Sequence, residues 1–140
     1  MRLRGRPGVS PARRAGTSPT RRACATVARK GVTVKRYGQV LKLRPEYRDD
    51  YVRHHAAVWP GVLAQIHRSN IRNYSIFLRD GILFAYFEYV GADFEADLRA
   101  MAADPETQRW WALMEPMQEK WPGATAREWW ADMPEVFHAD

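Results

Sequence analysis

From Lys35 onward, hydrophobic and polar positions follow a succession of recognisable periods. Residues 35–43 alternate, with Tyr37, Leu41 and Leu43 on one side and Val40 on the other, and predict a strand. Pro45 stands where a first helical turn begins, a position that suits its missing N–H, so residues 45–58 predict a helix. Residues 59–70 continue that helix after a kink or break at Pro60. Residues 71–78 and 82–90 are rich in aromatic and β-branched side chains and read as two strands. Arg79-Asp80-Gly81 joins them as a tight hairpin, with glycine at a position that needs positive φ. Phe94, Leu98 and Met101 recur at helical spacing within residues 91–103. Asp104-Pro105 reads as an N-cap followed by proline at the first helical position. It opens a helix over 105–120, which Pro116 interrupts in its last turn and Pro122-Gly123 ends. Residues 121–132 are irregular, and 134–139 predict a short last strand.

The order β-α-β-β-α-(α)-β is the split βαβ, ferredoxin-like arrangement of the α+β class. Helices cover one face of such an antiparallel sheet. The other face carries large apolar side chains, and a domain of about 100 residues is too small to hide them alone. A second copy of the chain is the expected cover, so a homodimer is predicted.

Charge divides the chain where the hydrophobic pattern does. Residues 1–36 hold 11 of the 22 Lys and Arg and no Asp or Glu, while the remainder holds 16 acidic residues against 11 basic ones. The folded part is therefore mildly acidic, which argues against a nucleic-acid groove in it. Residues 1–32 are rich in Arg, Pro, Gly, Ser and Ala and lack aromatic side chains. Such a segment buries too little apolar surface to offset its ordering entropy, so it reads as a disordered tail ahead of a domain at 33–140. A nucleic-acid or acidic-surface tail, a transit peptide, and a reading frame begun too far upstream are the competing readings of this segment; a secretory signal is weaker, because no apolar h-region follows the basic start. No apolar run approaches a membrane span, so no membrane partner is expected and the protein is expected to be soluble and cytoplasmic. The single cysteine, Cys24, excludes an intrachain disulfide framework, and four scattered histidines do not make a zinc site.

Tyr47, Tyr51, His55 and Trp59 recur every four residues on the first helix and form one slowly drifting stripe. A core-facing stripe is the plain explanation. Three polar-tipped aromatics and an imidazole also suit the wall of a polar pocket. His54, about 100° further round the helix, reads as a surface residue, as does His67. Trp110 and Trp111 point about 100° apart, so one can pack in the core while the other lines a cavity. An indole face fits the axial C–H patch of a hexose. Tyr74 shares a strand face with Ile76 and Leu78, and its hydroxyl needs either a core partner or a ligand. Trp121, Trp129 and Trp130 read as packing or interface residues. Phosphate loops, nucleophile elbows, HExxH and CxxC motifs are all absent from the sequence.

These residues resemble a family. His55-Ala-Ala-Val-Trp59-Pro60 resembles the His-x-x-x-Trp-Pro helix of L-rhamnose mutarotases, with Tyr51 one turn before the histidine. Asn73-Tyr74 resembles the family's Asn-Tyr strand, Gln108-Arg109-Trp110-Trp111 its Gln-Arg-Trp-Trp segment, and Glu135-Val136-Phe137 its C-terminal Glu-Val-Phe. The resemblance implies an isomerase exchanging the anomers of L-rhamnose or a related 6-deoxy-hexose. His55 would be the proton donor, with Tyr51, Tyr74, Trp110 and Trp111 contacting the sugar. It also implies a dimeric α+β barrel without metal or organic cofactor. Many members carry Asn-Pro directly after the histidine, where this chain has Ala56-Ala57.

Anomerisation needs a proton delivered to the ring oxygen and one taken from the anomeric hydroxyl. Histidine titrates in the range that suits both transfers. His55 is expected to serve as the acid; the base is a tyrosine, a water or His55 itself. Small dimeric α+β barrel monooxygenases share this fold, and a non-enzymatic sugar-binding barrel is a further reading, because fold alone does not define function.

Overall fold

The computed structural model describes residues 33–140, and the readings of residues 1–32 fall outside the described residues. Strand β1, Lys35–Leu43, runs as predicted. A 3-10 turn at Pro45–Tyr47 leads into helix α1, Arg48–His55, and helix α2 spans Pro60–Arg68. The helix expected to reach residue 58 ends three residues earlier. Trp59, ahead of Pro60, is extended at φ −60° and ψ 136°, because the proline ring disfavours helical backbone in the residue before it. Pro60 thus starts a new helix instead of kinking an old one.

Strands β2, Ile71–Arg79, and β3, Ile82–Tyr89, form the expected hairpin. Asp80 and Gly81 both take positive φ, 51° and 73°, the type I′ geometry whose twist matches that of paired strands. Helix α3 spans Phe94–Ala103, and α4 spans Pro105–Met114. The side chains of Asp93 and Asp104 cap them by accepting from the backbone N–H of Ala96 and Thr107, at 3.0 and 2.8 Å.

Two expectations in the last third are corrected. Helix α4 does not reach residue 120: a 3-10 turn at Glu115–Met117, built around Pro116, redirects the chain into strand β4, Gln118–Glu119. The last strand is not at 134–139 but at Ala131–Met133, β5. Pro134 has no N–H to offer a ladder, and the chain beyond it forms no strand.

The sheet is antiparallel throughout, in the order β2-β3-β1, with β4 and β5 sharing the far edge of β1. This is the ferredoxin-like α+β arrangement. Leu41 and Leu83, cross-strand partners at its centre, are both fully buried. They pack beneath Tyr51, Val62, Trp110, Met114 and Met117, which joins the sheet to the first and last helices. Each such burial contributes about 2 kcal/mol. A second cluster joins Ile71, Phe87 and Met101. The opposite sheet face leaves Phe77 and Phe84 exposed as cross-strand neighbours.

Candidate active site

The aromatic stripe survives the helix break. Tyr47 lies in the 3-10 turn, Tyr51 and His55 on α1, and Trp59 at the entrance to α2, and the three aromatic residues pack on one core cluster. Tyr51 is 3% exposed, and its ring lies 4.2 Å from the half-buried His55 imidazole. Trp110 meets that imidazole edge-on from α4 at 5.4 Å and packs on Trp59 at 5.2 Å. His55 is thus held between two aromatic rings contributed by different helices.

His55 Nδ1 is 2.9 Å from the carbonyl oxygen of Tyr51. A carbonyl only accepts, so Nδ1 carries the proton and donates it. The neutral imidazole therefore presents its lone pair at Nε2. Burial lowers the pKa of His55 below 6.5, against the raising effect of that hydrogen bond, and neighbouring His54 lowers it further. His54 itself is half-buried, and its ring approaches Trp110 edge-on at 6.4 Å. It is not the plain surface residue that its place on the helix suggests. His67 is exposed, as expected.

Tyr74 reaches the same side of the sheet through an irregularity in β2. Arg72 pairs with Glu88 and Ser75 with Tyr86, so Asn73 and Tyr74 together oppose the single residue Phe87. Asn73 absorbs the extra residue with φ at 50° and donates from Nδ2 to Glu88 Oε2 at 2.7 Å. Strict alternation from Ile71 would place Tyr74 on the outer face. The bulge brings it instead onto the inner face, with its ring 5.7 Å from Phe87. Tyr74 keeps 39% of its surface exposed, yet desolvation of its hydroxyl, with Tyr51 as a second cause, raises its pKa well above the ordinary phenol value. The ring thus packs edge-on against Phe87 while part of its surface stays open.

Burial likewise pushes Tyr51 up to about 12, partly offset by a hydrogen bond from Gln118. Both phenols are protonated donors near neutral pH. Gln118 donates from Nε2 to Tyr51 Oη at 3.3 Å and accepts at Oε1 from Trp129 Nε1 at 2.7 Å. Neither Gln118 nor Trp129 stood out as a site residue in the sequence, and no local signal could have found them: Gln118 lies 67 residues from Tyr51. Trp110 is 6% exposed and Trp111 38%, on adjacent faces of α4, so the two indoles part as their spacing requires. Only Trp110 lies against His55. Among the described residues, no group of three His, Cys, Asp or Glu side chains could hold a metal ion, and no helix is long and apolar enough to cross a membrane.

The fold, with this cluster of histidine, tyrosine and tryptophan packed on it, defines a small ferredoxin-like α+β domain. It shares that fold with the crystal structure of L-rhamnose mutarotase FA22100 from Formosa agariphila, at a TM-score of 0.59 and 21% identity over 76% of this chain and 99% of the other. The family model for L-rhamnose mutarotase matches residues 36–139. L-rhamnose mutarotases of Oceanobacillus iheyensis and Lactiplantibacillus plantarum are 31% and 33% identical, over 76% and 75% of this chain and 100% and 98% of theirs. The chain belongs to the L-rhamnose mutarotase family, which makes it an isomerase and not the monooxygenase or binding protein that the fold alone permits.

Proposed function

We propose that this protein interconverts the α and β anomers of L-rhamnose, or of a closely related 6-deoxy-hexose, with His55 Nε2 as the proton-exchanging atom. The observation that carries this reading is the fixed tautomer of His55. With Nδ1 committed to the Tyr51 carbonyl, a neutral imidazole accepts only at Nε2. It takes the proton of the anomeric hydroxyl O1, the C1–O1 double bond forms, and the C1–O5 bond breaks. The same nitrogen, now protonated, delivers that proton to O5, which lies on the same carbon as O1. The aldehyde rotates about C1–C2, and the sequence reverses on the other face. His55 is thus proton donor to the ring oxygen, as the family resemblance implies, after first acting as base. A pKa below the ordinary histidine value keeps the resting imidazole neutral and makes its protonated form a stronger acid.

Tyr51, Tyr74, Trp110 and Trp111 are proposed to hold the sugar. The two phenols supply donors at the inner end, and the indoles supply apolar surface for the ring C–H groups. Trp110 would do so beside His55, and Trp111 from its exposed side.

A homodimer formed through the sheet face carrying Phe77 and Phe84 belongs to the same proposal. The C-terminal segment supports it: Arg36 anchors Glu135 through two bonds at 2.8 and 3.1 Å, while Val136 and Phe137 remain 95% and 81% exposed. Two adjacent apolar side chains projecting from an anchored segment suit a partner surface.

Saturation-transfer NMR across a panel of reducing sugars tests the activity. Faster exchange between the L-rhamnose anomers is expected when the protein is added. Unchanged exchange for every sugar in the panel rules the reading out.

A further inference from the structure

Trp129, Gln118 and Tyr51 form a chain of hydrogen bonds whose direction is set at its outer end. An indole N–H can only donate. Trp129 Nε1 lies 2.7 Å from Gln118 Oε1, which identifies the oxygen of that amide and turns its NH2 group towards Tyr51. Gln118 Nε2 therefore donates to Tyr51 Oη, 3.3 Å away, and Tyr51 cannot donate in return. Gln118 is 6% exposed and Tyr51 3%, so neither readily exchanges this bond for one to water. Among the described residues, the Tyr51 hydroxyl takes part in this one bond only, as its acceptor, and its proton is left for another partner.

We infer that Gln118 and Trp129 are positioning residues that fix the Tyr51 hydroxyl as a hydrogen-bond donor to the bound sugar. The inference rests on the sugar-isomerase reading and deepens it. A pyranose ring oxygen has lone pairs and no proton, whereas the anomeric hydroxyl has a proton to give. A tyrosine committed to donating therefore matches the ring oxygen, and a neutral His55 accepting at Nε2 matches the anomeric hydroxyl. The Tyr51 donor then stabilises the charge that builds on the ring oxygen as the C1–O5 bond breaks. Tyr51 retains its proton, and His55 carries the one that moves.

Gln118→Glu tests the direction of the bond at nearly constant shape. One carboxylate oxygen still accepts from Trp129, but the other now accepts from Tyr51, so the phenol proton turns away from the sugar. In the sugar-free full chain, the Tyr51 13Cζ resonance is expected to move downfield, towards the phenolate position. L-rhamnose binding and anomer exchange should weaken about tenfold or more at mildly alkaline pH. Measured against wild type at the same pH, both losses should shrink as the pH is lowered and the introduced carboxylate gains a proton, becoming a donor again. Gln118→Leu should lose less and show no such recovery. A purely structural role predicts equal losses in the two variants at every pH. A Gln118→Glu protein with wild-type 13Cζ position and wild-type sugar affinity at alkaline pH overturns the inference.

Should Gln118→Glu not fold, Trp129→Phe decides the matter. The amide is then free to flip, and affinity is expected to fall several-fold; an unchanged value overturns the inference. If the wild-type protein neither binds nor exchanges L-rhamnose, the proposed function fails by itself. The 13Cζ displacement in Gln118→Glu then upholds or overturns the direction of the bond alone.

Discussion

His55 Nδ1 donates to the carbonyl oxygen of Tyr51, four residues earlier, at 2.9 Å. A residue that packs its ring against the imidazole also decides which nitrogen of that imidazole is free. The bond stays within one helix, so the tautomer is set before any substrate or partner arrives.

His55→Ala is expected to lower anomer exchange by roughly 10²–10⁴-fold while leaving the thermal midpoint close to wild type. His67→Ala, on an exposed position of α2, is the control and should change neither. His54 would be a poor control, since its ring packs edge-on against Trp110. Wild-type exchange by a folded His55→Ala protein would remove His55 from the mechanism.

The pH dependence of exchange separates a neutral resting histidine from a charged one. Burial lowers the His55 pKa from 6.5, so the neutral form predominates at and above that pH. kcat/KM should therefore be flat from neutral to mildly alkaline pH and fall as the pH drops through the lowered value. A rate that climbs on acidification would mean that the protonated form starts the reaction.

The same shift affects stability. The unfolded chain binds a proton at His55 at a higher pH than the folded one does. The stability this contributes is present above 6.5 and is lost as the pH falls through the folded-state value. His55→Gln should flatten that part of the urea-midpoint profile between neutral and mildly acidic pH; an unaltered slope would assign it to other groups.

Asn73 sits at φ 50°, where glycine is comfortable and a β-branched residue is not. Asn73→Gly should keep the bulge and most of the sugar affinity. Asn73→Val should cost about 1–2 kcal/mol and weaken sugar binding out of proportion, because straightening β2 turns Tyr74 to the outer face, away from Phe87. Urea denaturation and L-rhamnose titration of both variants check this, and equal affinities would sever the link between bulge and site.

The paired tryptophans should respond differently. Trp110→Ala removes a buried ring and should destabilise by about 3–5 kcal/mol. Trp111→Ala, at 38% exposure, should leave stability nearly intact and act on sugar binding alone. Calorimetry and titration of both variants separate the two roles.

What the sequence revealed depended on how locally each feature is encoded. Asp104-Pro105 and Asp80-Gly81 carry their own backbone preferences, so the α4 cap and the hairpin turn were legible from a few residues. The four-residue repeat from Tyr47 to Trp59 identified a shared face even though the helix beneath it breaks at Pro60. β4 was missed because two residues cannot show a period and take their form from pairing with Leu43 and Lys42. β5 was displaced by one segment because the alternation at 134–139 looks strand-like while Pro134 bars the ladder. Gln118 was invisible for the same reason as β4: its meaning lies in a partner far along the chain.

The position of β1 governs the order in which the molecule can be assembled. It precedes every other described strand, yet one edge waits for β3 and the other for β4 and β5. The side-chain bond between Gln39 and Asp132 closes over 93 residues. The β2–β3 hairpin can form as soon as its own residues leave the ribosome, because its turn carries the necessary geometry. β1, first of these strands to emerge, is last to be flanked on both sides, so the sheet is complete only once residues 131–133 have been made. Residues 131–133 thus act as a latch on the first described strand, and a chain truncated before Ala131 should leave that edge open at Gly38–Val40.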